Sequence, residues 1–253
     1  MKSIRCFFAT SALALAASGP AYAEPDAGAY LAARMAIMDY DFALSATYLD
    51  RALIDDPQNP VLLEEALRAH FALGEFDQAY GLADRMVAIG IASQTANFIA
   101  MVHAAHTGNW QRIFVLLEQG QSVGPLVDGL AQAWSFVGRG RMTRAVQSFD
   151  EVIDSSGLRA FGLYHKALAL ASVGDFEGAD AILALPPEQG MQKTHRAALA
   201  RAEILSQLDK NDAAISLLEN FAGSAGDPVS LDKIARLRLG EVLRFEFVSS
   251  PVE

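Results

Sequence analysis

Apolar residues in this chain recur at helical spacing, in pairs of short stretches with helix breakers between the pairs. The pattern predicts helices over 29–38 and 41–55, then a break at Pro57 and Pro60. Further pairs follow at 61–73 with 76–89, 94–107 with 110–119, 125–137 with 142–153, 161–173 with 176–185, and 195–208 with 213–221. A longer connection, 186–190, separates the fifth pair from the sixth. One more amphipathic stretch places Leu231, Ile234, Ala235, Leu239, Val242 and Leu243 on one face. No run alternates for long and β-branched residues are scattered, so an all-α fold is expected.

The pairs repeat. Gly74, Gly108, Gly140 and Gly174 stand 34, 32 and 34 residues apart, and the run Gly74-Glu75-Phe76-Asp77-Gln78-Ala79 returns as Gly174-Asp175-Phe176-Glu177-Gly178-Ala179. An aromatic stands two residues after the glycine in three copies (Phe76, Trp110, Phe176), and a small residue stands five after it in three (Ala79, Ala145, Ala179). Glycine suits the left-handed residue that ends a helix, the acid beyond it suits the next helix's positive end, and the alanine lets two helices approach. The aromatic is expected to pack under the turn. Self-similarity at this period, two short helices per unit, resembles the tetratricopeptide repeat. The resemblance runs from Ala27 to Phe221 in six units. Tyr40 and Asp209 stand where the glycine should be, and Ile113 replaces the small residue. It implies a right-handed α-solenoid of about six helical hairpins plus a C-terminal helix.

The first residues read as a different object. Lys2 and Arg5 precede an apolar run from Cys6 to Ala17, Gly19-Pro20 breaks it, and Ala21-Tyr22-Ala23 is a small-x-small cleavage site. That is a secretory signal peptide over 1–23; the rival, an uncleaved anchor, needs the roughly 20 apolar residues that span a bilayer. A linker over 24–28, the repeat array over 29–223, and a terminal helix with tail over 224–253 complete the expected organisation. The tail looks unfinished, as if the last helix opened a seventh unit. A periplasmic or secreted location follows, with no integral membrane span after cleavage.

Composition narrows the chemistry. Cys6 is the only cysteine and falls within the leader, so thiol catalysis, disulfides and thiolate metal sites are excluded from the mature chain. Without Lys2 and Arg5, 18 basic residues face 30 acidic ones, a net charge near −12, which argues against nucleic acid and anionic membranes.

Two formal catalytic patterns occur. Gly120-Gln121-Ser122-Val123-Gly124 fits a nucleophile elbow but lies between helices rather than after a strand, and reads as an inter-repeat turn. Ser230-Leu231-Asp232-Lys233 fits Ser-x-x-Lys without its companion motifs, and an N-cap serine explains it. His103 and His106 share a helix face but form an incomplete metal site; His70, His165 and His195 read as structural or surface residues. No enzyme, cofactor or metal is expected.

In the resembled family the first helix of each hairpin lines a ligand-binding groove. Carried over, that groove comprises Tyr30, Arg34, Glu64, Arg68, Phe98, Val102, Leu130, Trp134, Tyr164, Leu168, Arg196 and Glu203. Its middle is apolar and aromatic; the lysine and asparagine set that clamps a peptide carboxylate in relatives is missing. A one-residue change of register would turn Phe98, Trp134 and Tyr164 into core. The reading is a non-catalytic scaffold of the cell envelope that binds a peptide or partner protein. The alternatives are an accessory part of an envelope polysaccharide or peptidoglycan enzyme system, the N-terminal part of a longer repeat protein, and, weakest, hydrolysis through Ser122.

Overall fold

The computed structural model describes residues 27–222 and 227–246. The expected leader, most of the linker, residues 223–226 and the tail from 247 lie outside the described residues. Thirteen α-helices and no strand are found among the described residues. They form two compact units, residues 1–75 and 76–253.

The first unit contains α1 (Ala27–Met38), α2 (Phe42–Asp55) and α3 (Pro60–Ala72), each packed on the next. Helix α1 begins inside the expected linker. Asp41 caps α2 by accepting the Leu44 amide, and Asn59 caps α3 ahead of Pro60, where the missing N–H costs nothing.

The second unit contains α4 (Phe76–Ala88), α5 (Gln94–His106), α6 (Trp110–Glu118), α7 (Pro125–Gly138), α8 (Met142–Asp154), α9 (Arg159–Ser172), α10 (Phe176–Leu183), α11 (His195–Gln207), α12 (Asn211–Ala222) and α13 (Pro228–Arg238). A short 3-10 turn, Pro187–Gln189, fills the long connection. Each helix packs on its successor, and the first helix α9 also touches the first helices α7 and α11 on either side. The expected hairpin of 61–73 with 76–89 is divided between the two units at Glu75.

The turns follow one rule. Tyr40, Gly74, Gly108, Gly140, Gly174, Asp209 and Gly240 all adopt positive φ, at intervals of 34, 34, 32, 34, 35 and 31 residues. Tyr40 and Asp209 (φ 58° each) therefore take the left-handed conformation that glycine takes elsewhere. At each, the next residue's amide reaches back to the carbonyl five before it, as Asp175 does to Leu170 at 3.0 Å. Five residues after the first six turn residues stand Ser45, Ala79, Ile113, Ala145, Ala179 and Ala214, each at most 2% exposed. Ile113 keeps the role with a larger side chain.

The aromatics two places after the turn behave less uniformly. Phe176 packs on the core around α9 to α11, and Trp110 lies under Gly138, where an added Cβ would stand 2.3 Å from the indole. Phe76, expected under its turn, is instead 48% exposed and lies 6.2 Å from Tyr80.

Candidate peptide-binding face

Counting back from each turn residue locates the expected groove. Tyr30, Glu64, Phe98, Leu130 and Tyr164 stand ten residues before it; Arg34, Arg68, Val102, Trp134, Leu168 and Glu203 stand six before it. The two positions are one helical turn apart, so each pair shares a face of its first helix. In α11 the residue ten before Asp209 is Leu199; Arg196 lies about one turn nearer the helix start and is exposed.

In the first unit Arg34 and Arg68 are exposed and Tyr30 is half-buried; Arg68 bonds Glu64 on its own helix at 2.9 Å. In the second unit Phe98 is 40% exposed, and Val102, Leu130, Trp134 and Tyr164 are half-buried. Leu168 is 5% exposed and Glu203 1%, so neither is displayed as the sequence led one to expect.

Trp134 and Tyr164 are anchored in the core and still reach the surface. The Trp134 indole meets fully buried Phe149 edge-on at 5.5 Å, and its Nε1–H donates to Nδ1 of His165 at 3.1 Å. His165 in turn meets Tyr164 at 5.5 Å, linking α7 to α9 through a row of rings. Burial lowers the His165 pKa, which keeps Nδ1 free to accept from the indole. In the sequence this histidine stands alone.

At the end of the row α11 is covered. Residues 241–246 leave Gly240 without forming a helix and return across it. Ser206 Oγ accepts the Leu243 N–H (2.9 Å), Gln207 Nε2 donates to the Leu243 carbonyl (2.6 Å), and Glu203 Oε2 accepts the Glu246 N–H (3.0 Å). Glu203 Oε1 meets Lys233 Nζ at 2.6 Å in a nearly dry ion pair. Sequence reasoning missed this set. Its signal was Glu203, Ser206 and Gln207 at i, i+3 and i+4 of a helix whose neighbouring positions are apolar.

The other chemical candidates resolve into structure. Ser122 Oγ donates to Asp128 at 2.5 Å in a turn with no strand before it. Ser230 is fully buried and is not the N-cap: Asp227 is, accepting the Ser230 amide at 2.9 Å. Burial alone would raise the Asp227 carboxyl, but bonds from Ser230 and the His195 ring outweigh it and hold it below the usual range. His103 stacks on Tyr80 at 4.3 Å, and His106 is exposed. Among the described residues no group of three or more His, Cys, Asp or Glu could hold a metal ion. No described helix is long and apolar enough to cross a membrane.

His70 is held on both sides in the first unit. It is 5% exposed, with Nδ1 2.6 Å from Glu75 Oε2 and Nε2 3.0 Å from Asp50 Oδ1. Burial pulls its pKa down, but the two carboxylates outweigh it and the pKa is raised. Both ring nitrogens can donate at once only as imidazolium.

Helical hairpins with a left-handed turn every 31 to 35 residues and a buried residue five places on define the architecture. The fold is tetratricopeptide-like. No protein-family model and no curated protein matches the chain. Among solved structures it is similar to Naa15/Naa10 bound to HypK-THB, at 13% identity over 84% of this chain and 38% of that one, TM-score 0.38. It is also similar to TTC0263, a thermophilic tetratricopeptide repeat protein of Thermus thermophilus, at 17% identity over 83% of this chain and 97% of that one, TM-score 0.34. A third is the P58(IPK) tetratricopeptide repeat domain, at 16% identity over 84% and 64%, TM-score 0.36. The chain thus spans 38% of the length of the first of these and 64% of the third.

Proposed function

We propose that this chain is a non-catalytic protein-interaction scaffold of the cell envelope, which holds an extended peptide or partner segment against the first helices of its second unit. The observation that carries the reading is the row Phe98, Val102, Trp134 and Tyr164. Apolar and aromatic side chains stand at equivalent positions of successive first helices, partly open to solvent, and Trp134 and Tyr164 are held by Phe149 and His165. Rigid, amphipathic aromatics of this kind lose little entropy on binding and serve as anchors of interfaces. The N-terminal sequence, with its charged start, apolar run and small-x-small site, supports export. The net acidic surface favours a partner that is neutral or basic.

The test is capture from an envelope extract by the chain and by its Phe98→Ala/Tyr164→Ala variant, after circular dichroism and melting show the variant folded. A partner held by the wild type and lost by the variant is expected. A partner held equally by both would move recognition off this row.

A further inference from the structure

We propose that the face of α11 crossed by residues 241–246 is a receptor site for an extended peptide of the pattern leucine-x-aromatic, occupied in cis by the chain's own segment and opened when a partner segment of that chemistry replaces it. The proposal rests on the reading of the first-helix row as the recognition surface, and it names the ligand class of the row's C-terminal end.

The turn at Gly240 is built like the others. Gly240 N–H reaches Leu237 O at 3.0 Å and Glu241 N–H reaches Arg236 O at 3.1 Å, as Gly174 and Asp175 reach Ala171 and Leu170 at 3.0 Å. After the other six turn residues a helix begins within two residues. After Gly240 no helix follows over 241–246, and the segment is bound by side chains of α11 and α12.

What binds it reads main chain. Ser206, Gln207 and Glu203 satisfy the Leu243 amide, the Leu243 carbonyl and the Glu246 amide, and Asn211 Nδ2 donates to the Glu241 carbonyl at 3.3 Å. Any extended peptide presents these groups at the same spacing, so the contacts fix direction and register without selecting sequence. Buried backbone groups of a covering segment need partners; here four polar side chains supply them, and they would do so equally for another segment of the same backbone path.

Selection comes from alternate residues, as strand-like chains require. Leu243 is 1% exposed, enclosed by Leu199, Ala202, Leu205, Ile234 and Leu237. Phe245 is half-buried and meets Phe176 edge-on at 6.4 Å. Val242, Arg244 and Glu246 point to solvent. Beside Phe245 lies an open groove of about 580 Å³, bordered by Ala171, Ser172, Gly174, Phe176, Gln207 and Arg244. Lys233 acts as a positioning residue: by taking one oxygen of Glu203 it leaves the other aimed at the backbone amide.

A tethered segment competes at an effective concentration of order millimolar, which masks the site from a free peptide by roughly ten- to a hundred-fold. The test uses an N-acetylated, fluorescently labelled hexapeptide of the sequence of residues 241–246, titrated by anisotropy. The wild-type chain is compared with the Leu243→Ser/Phe245→Ser variant. At least tenfold tighter binding to the variant is expected, abolished when the same two positions of the peptide are serine. Equal binding to both chains, or none to a variant shown to be folded, overturns the proposal.

Should the variant fail to fold, the wild type answers alone. Millimolar unlabelled peptide is expected to speed hydrogen exchange at the Leu243 and Glu246 amides; exchange unchanged by peptide overturns the proposal. Capture of a partner that depends on Phe98 but not on added hexapeptide would leave the row reading standing and remove only the cis-occupied site.

Discussion

The two ends of the first-helix row in the second unit differ in what covers them. Phe98, Val102, Trp134 and Tyr164 are all left partly open, and Trp134 and Tyr164 are held by ring contacts from the core. At Leu199, Glu203 and Ser206, equivalent positions and their neighbours are closed by residues 241–246. The same helical position thus serves as a displayed anchor in one hairpin and as a buried ligand for main chain in another. The lesson is that position in the repeat fixes where a side chain points, whereas exposure depends on what else the chain lays over it.

Substitutions at the two ends should separate accordingly. The largest expected effect is at the closed end: Lys233→Ala strands Glu203 beside an apolar pocket and should cost about 3 kcal/mol of stability, read by chemical denaturation. A cost under about 0.5 kcal/mol would mean that water reaches the pair. At the open end Phe98→Ala should leave stability within about 0.5 kcal/mol yet weaken partner binding roughly tenfold, or about 1.4 kcal/mol. If melting shifts as much as binding, Phe98 belongs to the core.

The two units make a second comparison, through histidines of opposite sense. His70 has a raised pKa, so it binds more protons folded than unfolded; its contribution is complete below the ordinary value of 6.5 and is lost as pH rises through its folded pKa. His165 has a lowered pKa, so its neutral form is stabilising above 6.5 and that contribution is lost as pH falls from 6.5 through its folded pKa. Melting from about pH 5 to pH 9 should show His70→Gln removing stability on the acid side and His165→Gln flattening the acid decline, each by about 1 kcal/mol. Parallel pH profiles for the two variants would contradict these assignments.

The smallest effects concern the turns. Tyr40→Gly removes a bulky left-handed residue and should stabilise the first unit by about 0.5 to 1 kcal/mol; Asp209→Gly should gain less, because aspartate tolerates that conformation better. Thermal melts of the two variants measure both, and a loss at Tyr40 would mean that its side chain contributes more than its strain.

The period was legible because it rests on backbone chemistry. Glycines at Gly74, Gly108, Gly140 and Gly174 mark a conformation that few residues adopt cheaply, and the buried small residues recur with it. Even Tyr40 and Asp209, which break the glycine rule, could be placed by counting, since the interval and not the residue type carried the information. The row Phe98, Trp134 and Tyr164 was legible in position for the same reason. Its partition between core and surface was not, because it depends on Phe149 and His165 from neighbouring helices. The segment over α11 was read as the continuation of a helix face from Leu239 to Leu243. The helix instead ends before the Gly240 turn, and Leu243 is buried by the non-helical segment that follows. Bonds between residues some forty positions apart, such as Glu203 with Glu246, leave no local trace.

The central claim is that the first-helix row, and not the opposite surface, receives the partner. Site-specific photo-crosslinking tests it most directly, with a photoreactive phenylalanine analogue placed at Phe98 on α5 or at exposed Arg144 on α8. The account predicts a crosslinked partner from position 98 and none from 144. Crosslinking from 144 alone, or equally from both, would contradict it.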